Sequence, residues 1–515
     1  MKTTTFLTSG YSGRRCSLNF LLLAMLIIPA VAENSVSAQI FTKITDSVFT
    51  GKKNYGYGCG FFDFNDDGKL DIIVNNRSGK SILFKNNGNG TFSDVSSDLI
   101  PPVTSNSGIS FGDYDNDGYP DLFLSSMKGI NSLLHNEGNG RYLRLTDNPM
   151  SQAQGFQVHC TWVDYDNDGL LDLFIPVVGN TEFQKGNEVE NYMFHNAGNG
   201  KFTQVGISEP EKASGNNVCA NFSDIDNDGD MDLFMTDCLR DNSLFENKGG
   251  GVFNRIDAGG ISSNTNISIS CSWGDYDNDG FMDLFVANGF VKDEGLKTQS
   301  YLYHNNGNRT FTRITTGALA EFSGNTWNGL WADFDNDGHL DLFLGTLYEP
   351  DILFLNNGDG TFSKDCEFDS SSVGTSGACF GDYNNDGFLD VFTANCLGTG
   401  NPLYKNNGNK NNWVFIKCQG SVSNRSAIGA RVKIKADIDG KSYWQVREIN
   451  GNMGFRGLSE IRAHFGLGKA AIVDSLIIEW PSKERTAMTN LQVNKVHTVM
   501  EPVPIGSKKP EFKKD

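Results

Sequence analysis

An acidic nine-residue loop recurs seven times in this 515-residue chain, beginning at Asp63, Asp113, Asp164, Asp224, Asp275, Asp333 and Asp382, at spacings of 50, 51, 60, 51, 58 and 49 residues. A period near 50 residues restricts the chain to architectures in which one supersecondary unit repeats and buries its apolar face against its neighbours. Each loop, as in DYDNDGYPDLFLSS from Asp113, leads into an apolar run and then an Asn-Gly signature. The signatures are NNGNGTF from Asn86, NEGNGRY from Asn136, NAGNGKF from Asn196, NKGGGVF from Asn247, NNGNRTF from Asn305 and NNGDGTF from Asn356, with a degenerate NNGNKNNW from Asn406.

Asn and Gly tolerate positive φ, so these clusters between apolar or aromatic residues read as hairpin turns. The unit then consists of four short strands. These are a Phe strand (FSDVS, YLRLT, FTRIT), a Gly- and small-residue strand entering the acidic loop (GISFGD, CTWVD, CSWGD), the Asp-Leu-Phe strand leaving it, and a Leu-Phe or Leu-Tyr strand before the turn. Four strands about every 50 residues make a propeller blade. The 58 glycines and 13 prolines, with no Gly-X-Y period, agree with many tight turns. FTKIT at Phe41 supplies a Phe strand ahead of the first loop, so seven Phe strands accompany seven loops. The expected fold is all-β: a seven-bladed β-propeller over 39–408, then a small β-sandwich-like domain over 409–503 and a disordered tail over 504–515.

The loops begin like an EF-hand, with oxygen side chains at positions 1, 3, 5 and 9 and Gly at 6. An EF-hand requires a Glu at position 12 and flanking helices; the second loop has Leu124 there, inside a β-like run. The helical sensor is excluded. Spacing by two places three carboxylates inside one tight turn, the carbonyl of residue 7 can point inward, and Asp at 9 closes an all-oxygen cage suited to calcium. A metal-free Asx turn is the competing reading, but carboxylates packed this closely repel one another without a cation. Seven calcium ions are therefore expected, one per loop. The ligand sets are Asp63, Asn65, Asp67 and Asp71; Asp113, Asp115, Asp117 and Asp121; Asp164, Asp166, Asp168 and Asp172; Asp224, Asp226, Asp228 and Asp232; Asp275, Asp277, Asp279 and Asp283; Asp333, Asp335, Asp337 and Asp341; and Asp382, Asn384, Asp386 and Asp390.

Charge is consistent with this. The 25 basic and 52 acidic side chains before residue 409 give −27, and 18 against 10 after it give +8. The loops hold 28 of the acids, so seven divalent ions would reduce −27 to −13. The acidity is partly a ligand set rather than evidence for a basic partner, and no nucleic-acid partner is expected. The opposite signs of the two parts suggest that they dock.

At the N-terminus, Arg14 and Arg15 precede an apolar run from Leu18 to Ile28, with small-residue cleavage patterns at Ala30-Val31-Ala32 and Val36-Ser37-Ala38. Residues 1–38 read as a cleaved signal peptide, with no spanning segment in the mature chain and a secreted, periplasmic or cell-surface location. Of nine remaining cysteines, Cys59, Cys160 and Cys271 each fall four residues before a first Asp, and Cys238 and Cys396 six after a last one. Repeat-equivalent positions favour buried packing over a disulfide framework.

Few constellations suggest catalysis. Gly108-Ile109-Ser110-Phe111-Gly112 matches a nucleophile elbow but enters a β loop, so Ser110 is not expected to be a nucleophile. His135, His195 and His304 share one position before the Asn-Gly turn and read as turn-flanking filler. His159 falls on a strand entering a loop, near the channel, and His464 at a strand end; both read as structural. Trp162, Trp273, Trp327 and Trp331 should pack between blades, with a subset at the channel mouth able to stack on sugars. Two functions remain: a binding or adhesion module for an extracellular protein or glycan, or a hydrolase or lyase using the propeller channel.

The D-x-[DN]-x-DG-x-x-D loops, entered by patterns such as FGDYDNDG and followed by DLF, resemble the FG-GAP or VCBS repeats of integrin α-subunit propellers and secreted bacterial proteins. The tail is similar to the ASPIC and UnbV domain in Asn412-Trp413, Asn424 to Val432, a Gly-rich centre from Gly451 to Gly457, His464 to Gly468 and Trp480-Pro481, with Lys483 where a Gly is usual. Together the two parts resemble the cartilage acidic protein family. The resemblance implies calcium-binding propellers acting in extracellular, surface or periplasmic binding and supplies no catalytic residues.

Overall fold

Small residues entering each acidic loop and apolar residues leaving it produce seven sheets of four antiparallel strands in the computed structural model, the first of them extended by a short parallel strand from the C-terminal part. Residues 40–504 are described, apart from 51–54, 78, 104–105, 128–129, 180–188, 207, 263–266, 290–297 and 372. The signal peptide and the SKKPEFKKD end lie outside the described residues. In each blade the small-residue strand is innermost, followed outward by the Asp-Leu-Phe strand, the strand before the Asn-Gly turn, and the Phe strand. The inner strands are Gly56–Phe62, Asn106–Gly112, Thr161–Val163, Asn217–Ser223, Ser268–Gly274, Thr326–Ala332 and Thr375–Gly381.

The first Phe strand does not belong to the first loop. Phe41–Ile44 pairs antiparallel with Leu403–Asn406 and forms the outer strand of the seventh blade. The ring is thus closed by hydrogen bonds between residues far apart in the chain. This settles the closure that the repeat pattern leaves open: the Phe strand ends a blade rather than beginning one, and the seventh blade takes its strands from both ends of the propeller.

A second set of bonds joins neighbouring blades. The first Asn of each Asn-Gly signature is buried, and its Nδ2 donates to the carbonyl of loop residue 2 in the preceding blade: Asn136 to Phe64 (2.9 Å), Asn196 to Tyr114 (2.8 Å), Asn247 to Tyr165 (2.8 Å), Asn305 to Ile225 (2.9 Å), Asn356 to Tyr276 (2.7 Å) and Asn406 to Phe334 (2.8 Å). Asn86 to Tyr383 (2.8 Å) completes the circle. Indole and phenol rings fill the gaps between blades, as where Tyr114 stacks on Trp162 and Tyr276 on Trp331.

The C-terminal part contains a three-stranded sheet (Ala463–Gly468, Asn412–Gln419, Lys495–Met500) and a four-stranded sheet (Lys441–Glu448, Arg431–Ile438, Ile472–Glu479, Arg485–Gln492). Residues of both, including Val414, Ile416, Val432, Ile434, Phe465 and Leu476, share one buried core. Its Gly-rich centre leaves these sheets and fills the propeller channel. Ser110 Oγ donates to Gly451 O (2.9 Å), Asn452 Nδ2 to Cys160 O (3.0 Å), His159 Nε2 lies 3.3 Å from Gly454 O, and Phe455 N donates to Asn328 Oδ1 (3.0 Å). Gly457 and Leu458 pair in parallel with Cys59 and Gly60 of the first blade. Arg456, buried, donates to Val158 O and Ser376 Oγ and lies over the Tyr57 ring. Glycine is required here by space: a Cβ on Gly457 would overlap the Ala378 carbonyl, and one on Gly451 the Trp162 carbonyl.

Two outcomes follow from these contacts. Asn356→Ala removes two donated amide bonds and one accepted from Gly358 N and leaves the buried Tyr276 carbonyl unpaired, so it should cost about 2–3 kcal/mol in chemical denaturation. The control Asn357→Ala, whose exposed amide bonds only the exposed hydroxyls of Thr361 and Ser363, should cost under about 0.5 kcal/mol. Gly457→Ala places a methyl against backbone that cannot rotate away, so it should cost about 1–3 kcal/mol or more and raise proteolytic sensitivity of the C-terminal part.

Candidate metal centres

Each acidic loop is shaped by its own carboxylates. In the second blade, Asp113 accepts from Asp117 N (2.9 Å) and Gly118 N (2.7 Å), and Asp117 accepts from Tyr119 N (2.8 Å). Asn116 takes a left-handed φ of 60°, as do its equivalents in the other loops, and Asn and Asp tolerate that conformation best. Asp121, at position 9, accepts from Tyr114 N (3.3 Å) and Asn136 N (2.8 Å), tying the loop to the Asn-Gly turn. The Asn at position 4 also reaches the next loop, as in Asn116 Nδ2 to Gly169 O (3.0 Å) and Asn336 Nδ2 to Gly387 O (3.1 Å). Blade 1 has Asp66 there, which cannot donate. Beside it a cavity of about 350 Å³ opens between the first two blades and the C-terminal part, lined by Phe62, Asp66, Phe111, Lys417, Arg425 and Arg462 among others.

The carboxylates converge in the predicted sets. Oxygens of Asp113, Asp115 and Asp117 lie within 4.8 Å of one another, as do those of Asp164, Asp166 and Asp172. Burial first, and neighbouring carboxylates second, push these acids up: Asp71 to about 8, Asp121, Asp172, Asp283 and Asp382 to about 7, and Asp335 and Asp337 to about 6. The same causes hold Asp113, Asp164, Asp275 and Asp333 well above the usual carboxylate range. Asp115 Oδ1, Asp164 Oδ1 and Asp226 Oδ1 are buried without a hydrogen-bond donor. Orphaned oxygens in a ring of carboxylates fit a hard divalent cation with oxygen ligands, the class that includes calcium.

The histidines are not filler. His135 Nδ1 lies 3.0 Å from Asp121 Oδ1 and 3.6 Å from Asp115 Oδ2. His195 approaches Asp172 (3.2 Å) and Asp166 (3.4 Å), and His304 approaches Asp277 (3.1 Å) and Asp283 (3.3 Å). Each side chain overlies the acids of its own blade, because a strand residue one before the turn faces the loop. The same position holds Lys85, Glu246, Leu355 and Lys405 in blades 1, 4, 6 and 7. Glu246 is balanced by Arg309, whose guanidinium also pairs with Asp226.

The C-terminal part covers the face on which the acidic loops lie. Asp113 N donates to Ser426 Oγ (3.0 Å), Asp224 N to Glu448 Oε1 (3.3 Å) and Gly466 N to Asp333 Oδ2 (3.1 Å), while Arg431 lies 3.6 Å from Asp224 and Lys483 3.1 Å from Asp230. The opposite charges of the two parts do meet. Beneath this cover, Arg447, Glu448, Glu460, Arg462 and His464 surround a cavity of only about 50 Å³. Glu460 is paired with Arg462 at 2.5 Å, and burial drives His464 down to about 3, so that it is neutral. The cluster is a buried interface with room for a water or two, not for a substrate.

The remaining candidates have structural tasks. Ser110 Oγ is engaged with Gly451 O and with Trp162 N (3.2 Å). His159 is buried against the channel segment, and His464 Nε2 lies 3.3 Å from Gly387 O. Trp162, Trp273, Trp327 and Trp331 are all buried, so none is available to stack on a sugar at the channel mouth. Cys59, Cys160, Cys219, Cys271 and Cys379 are buried free thiols at the inner strands.

Comparison with known proteins places both parts of the chain in known families. The FG-GAP-like repeat matches at residues 63–124, 114–175, 178–235, 224–286, 295–344 and 333–393, and the ASPIC and UnbV family matches at 420–505. Cartilage acidic protein 1 of Xenopus tropicalis is 27% identical over 282 residues, covering 50% of this chain and 40% of that protein. The Homo sapiens protein is 25% identical over 296 residues, covering 52% and 41%. The chain thus spans well under half the length of the relatives it matches. Among solved structures, the BP39L lectin from Burkholderia pseudomallei superposes with a TM-score of 0.49 at 11% identity, covering 69% of this chain and 98% of the lectin. With repeat matches across most of the propeller and the C-terminal match beside them, this chain belongs to the FG-GAP-repeat propellers with an ASPIC and UnbV domain, the cartilage acidic protein family.

Proposed function

We propose that the protein is an exported calcium-binding propeller serving as a binding or adhesion module for an extracellular protein or glycan, with its calcium structural. At the coarse level the FG-GAP propeller is a binding module. The cation reading rests on buried carboxylate oxygens that converge without donors, Asp115 Oδ1, Asp164 Oδ1 and Asp226 Oδ1. In the second blade Asp113, Asp115, Asp117, Asp121 and the Tyr119 carbonyl would hold the ion. A bound cation supplies the positive charge that lets these acids stay ionised together.

The partner surface is assigned by elimination. The C-terminal part covers the loop face except at the cavity beside Asp66, and the channel is filled, which leaves that cavity, the opposite face and the rim. Tyr55, Ile130 and Leu397, all exposed, lie in connections on that opposite face. Loops on a rigid scaffold are the usual place for binding residues. The likeness to cartilage acidic protein 1 supports an extracellular setting, and no described helix is long and apolar enough to cross a membrane. A hydrolase or lyase in the channel would have to work where Asn452 to Leu458 already sit.

Removal of the metal tests the first part. With calcium about tenfold above its dissociation constant, each ion contributes about 1.4 kcal/mol, so chelation should lower the melting temperature markedly. An unchanged midpoint in verified metal-free protein contradicts the reading. pH separates the two states. Carboxyls raised to about 7 or 8 hold protons in the folded but not the unfolded chain between about pH 4 and 8, so the chelated protein should gain stability as pH falls through that window. Excess calcium should flatten or reverse this slope, read by melting from pH 8 to 5. A matrix-protein and glycan binding screen, run with calcium and with chelator, tests the second part. Tyr55→Ala with Leu397→Ala should weaken any hit at least tenfold while leaving the melting temperature within a few degrees.

A further inference from the structure

The seven loops differ in one coordinated way. Position 3 is Asp in five loops and Asn in two, Asn65 and Asn384. The residue before the Asn-Gly turn, which overlies position 3, is Lys in those same two blades, Lys85 and Lys405, and never Lys in the other five. With the Asn65 amide placed to donate to Asp63 Oδ1 (3.2 Å), its oxygen accepts from Lys85 Nζ at 3.0 Å. Lys85 Nζ is also 3.8 Å from Asp67 Oδ2, and Lys69 Nζ is 3.1 Å from the same oxygen. In blade 7, Lys405 Nζ lies 3.9 Å from Asp386 Oδ2, and Asn384 Nδ2 donates to that oxygen at 2.9 Å.

We infer that blades 1 and 7 do not take a calcium ion: the ammonium groups of Lys85 and Lys405 serve as resident cations there, and the metal-dependent sites are those of blades 2 to 6. This deepens the calcium reading and depends on it. Three observations agree. The Asp-to-Asn change removes one ligand charge and adds amide donors, which point at carboxylates instead of a metal. The ammonium adds a positive charge where a second cation would be repelled. The orphaned Asp oxygens among the described loops, Asp115 Oδ1, Asp164 Oδ1 and Asp226 Oδ1, belong to blades 2, 3 and 4, whereas the position-5 acids of blades 1 and 7 receive an ammonium (Lys69 on Asp67) or an amide (Asn384 on Asp386). Blade 6 shows the opposite choice, pairing Asp335 with the uncharged Leu355.

The two lysine-filled blades are neighbours across the point where the ring closes, since Phe41–Ile44 pairs with the strand that carries Lys405. A covalently attached cation lets that seam form without metal, while the five intervening cages depend on it.

Metal analysis after chelation and reloading, with calcium titration calorimetry, tests this on the whole mature chain. Five ions are expected. The pairs Asn65→Asp with Lys85→Leu, and Asn384→Asp with Lys405→Leu, recreate the blade 6 combination, and each should add one ion. The reverse pair, Asp335→Asn with Leu355→Lys, should remove one. Six or seven ions on the native chain, or an unchanged count in the added-ligand and reverse pairs, would overturn the inference. No bound ion on any variant would instead overturn the calcium reading itself.

Discussion

A relay of carboxylate and amide groups holds the propeller together. In every blade the position-9 Asp accepts one hydrogen bond from the loop backbone and one from the backbone of the following Asn, as Asp341 does from Phe334 N (2.9 Å) and Asn356 N (2.9 Å). That Asn then donates its side chain to the loop of the preceding blade. Loop conformation, turn position and blade spacing are coupled through one buried ionisable group per repeat. Burial of such a group is unfavourable unless its charge is answered. The answer differs around the ring, with acids converging in some blades and an ammonium above them in others.

The channel presents the second constraint. A ring of blades leaves an axial gap, and backbone groups on its wall require partners. Here the partners come from the C-terminal part. Gly451, Gly454 and Gly457 have no side chain to keep the backbone from the inner strands, and Arg456 between them carries a long cationic side chain to the Tyr57 ring and the Val158 carbonyl. The same domain places its loops over the acidic turns. Acidic loops, channel and interface are therefore one connected polar system, and disturbance of any one should be felt in the others.

Most of the architecture was legible because it is written locally and repeatedly. Seven acidic loops, seven Asn-Gly signatures and alternating small and apolar strands specify a propeller blade without long-range information. The errors share a different cause. The first Asn of each signature was read as a turn former, although Gly88 and Gly90, not Asn86, adopt positive φ in the first turn. Its clamp partner lies 72 to 82 residues away, or 297 at the closure, where no local pattern reaches. His135, His195 and His304 were read along the strand, but their task is set by the adjacent loop. The tryptophans could be assigned to blade contacts or to a channel mouth, and only packing removed the second option. The pairing of Asn with Lys is present in the repeats, but its two positions are some 20 residues apart and only the fold brings them together.

By itself the sequence determined the repeat, the strand pattern, the acidic composition of the loops and the presence of a second, basic β domain, since each depends on residue types at short spacing. The tertiary structure decided which strand closes the ring, which face stays open, what fills the channel and which side chains stand over each cage. Those outcomes depend on contacts between residues tens to hundreds of positions apart, and no periodicity encodes them. The Gly-rich centre shows the division most clearly. Its glycines are visible in the sequence, and only the folded chain shows that they meet the hub of its own propeller.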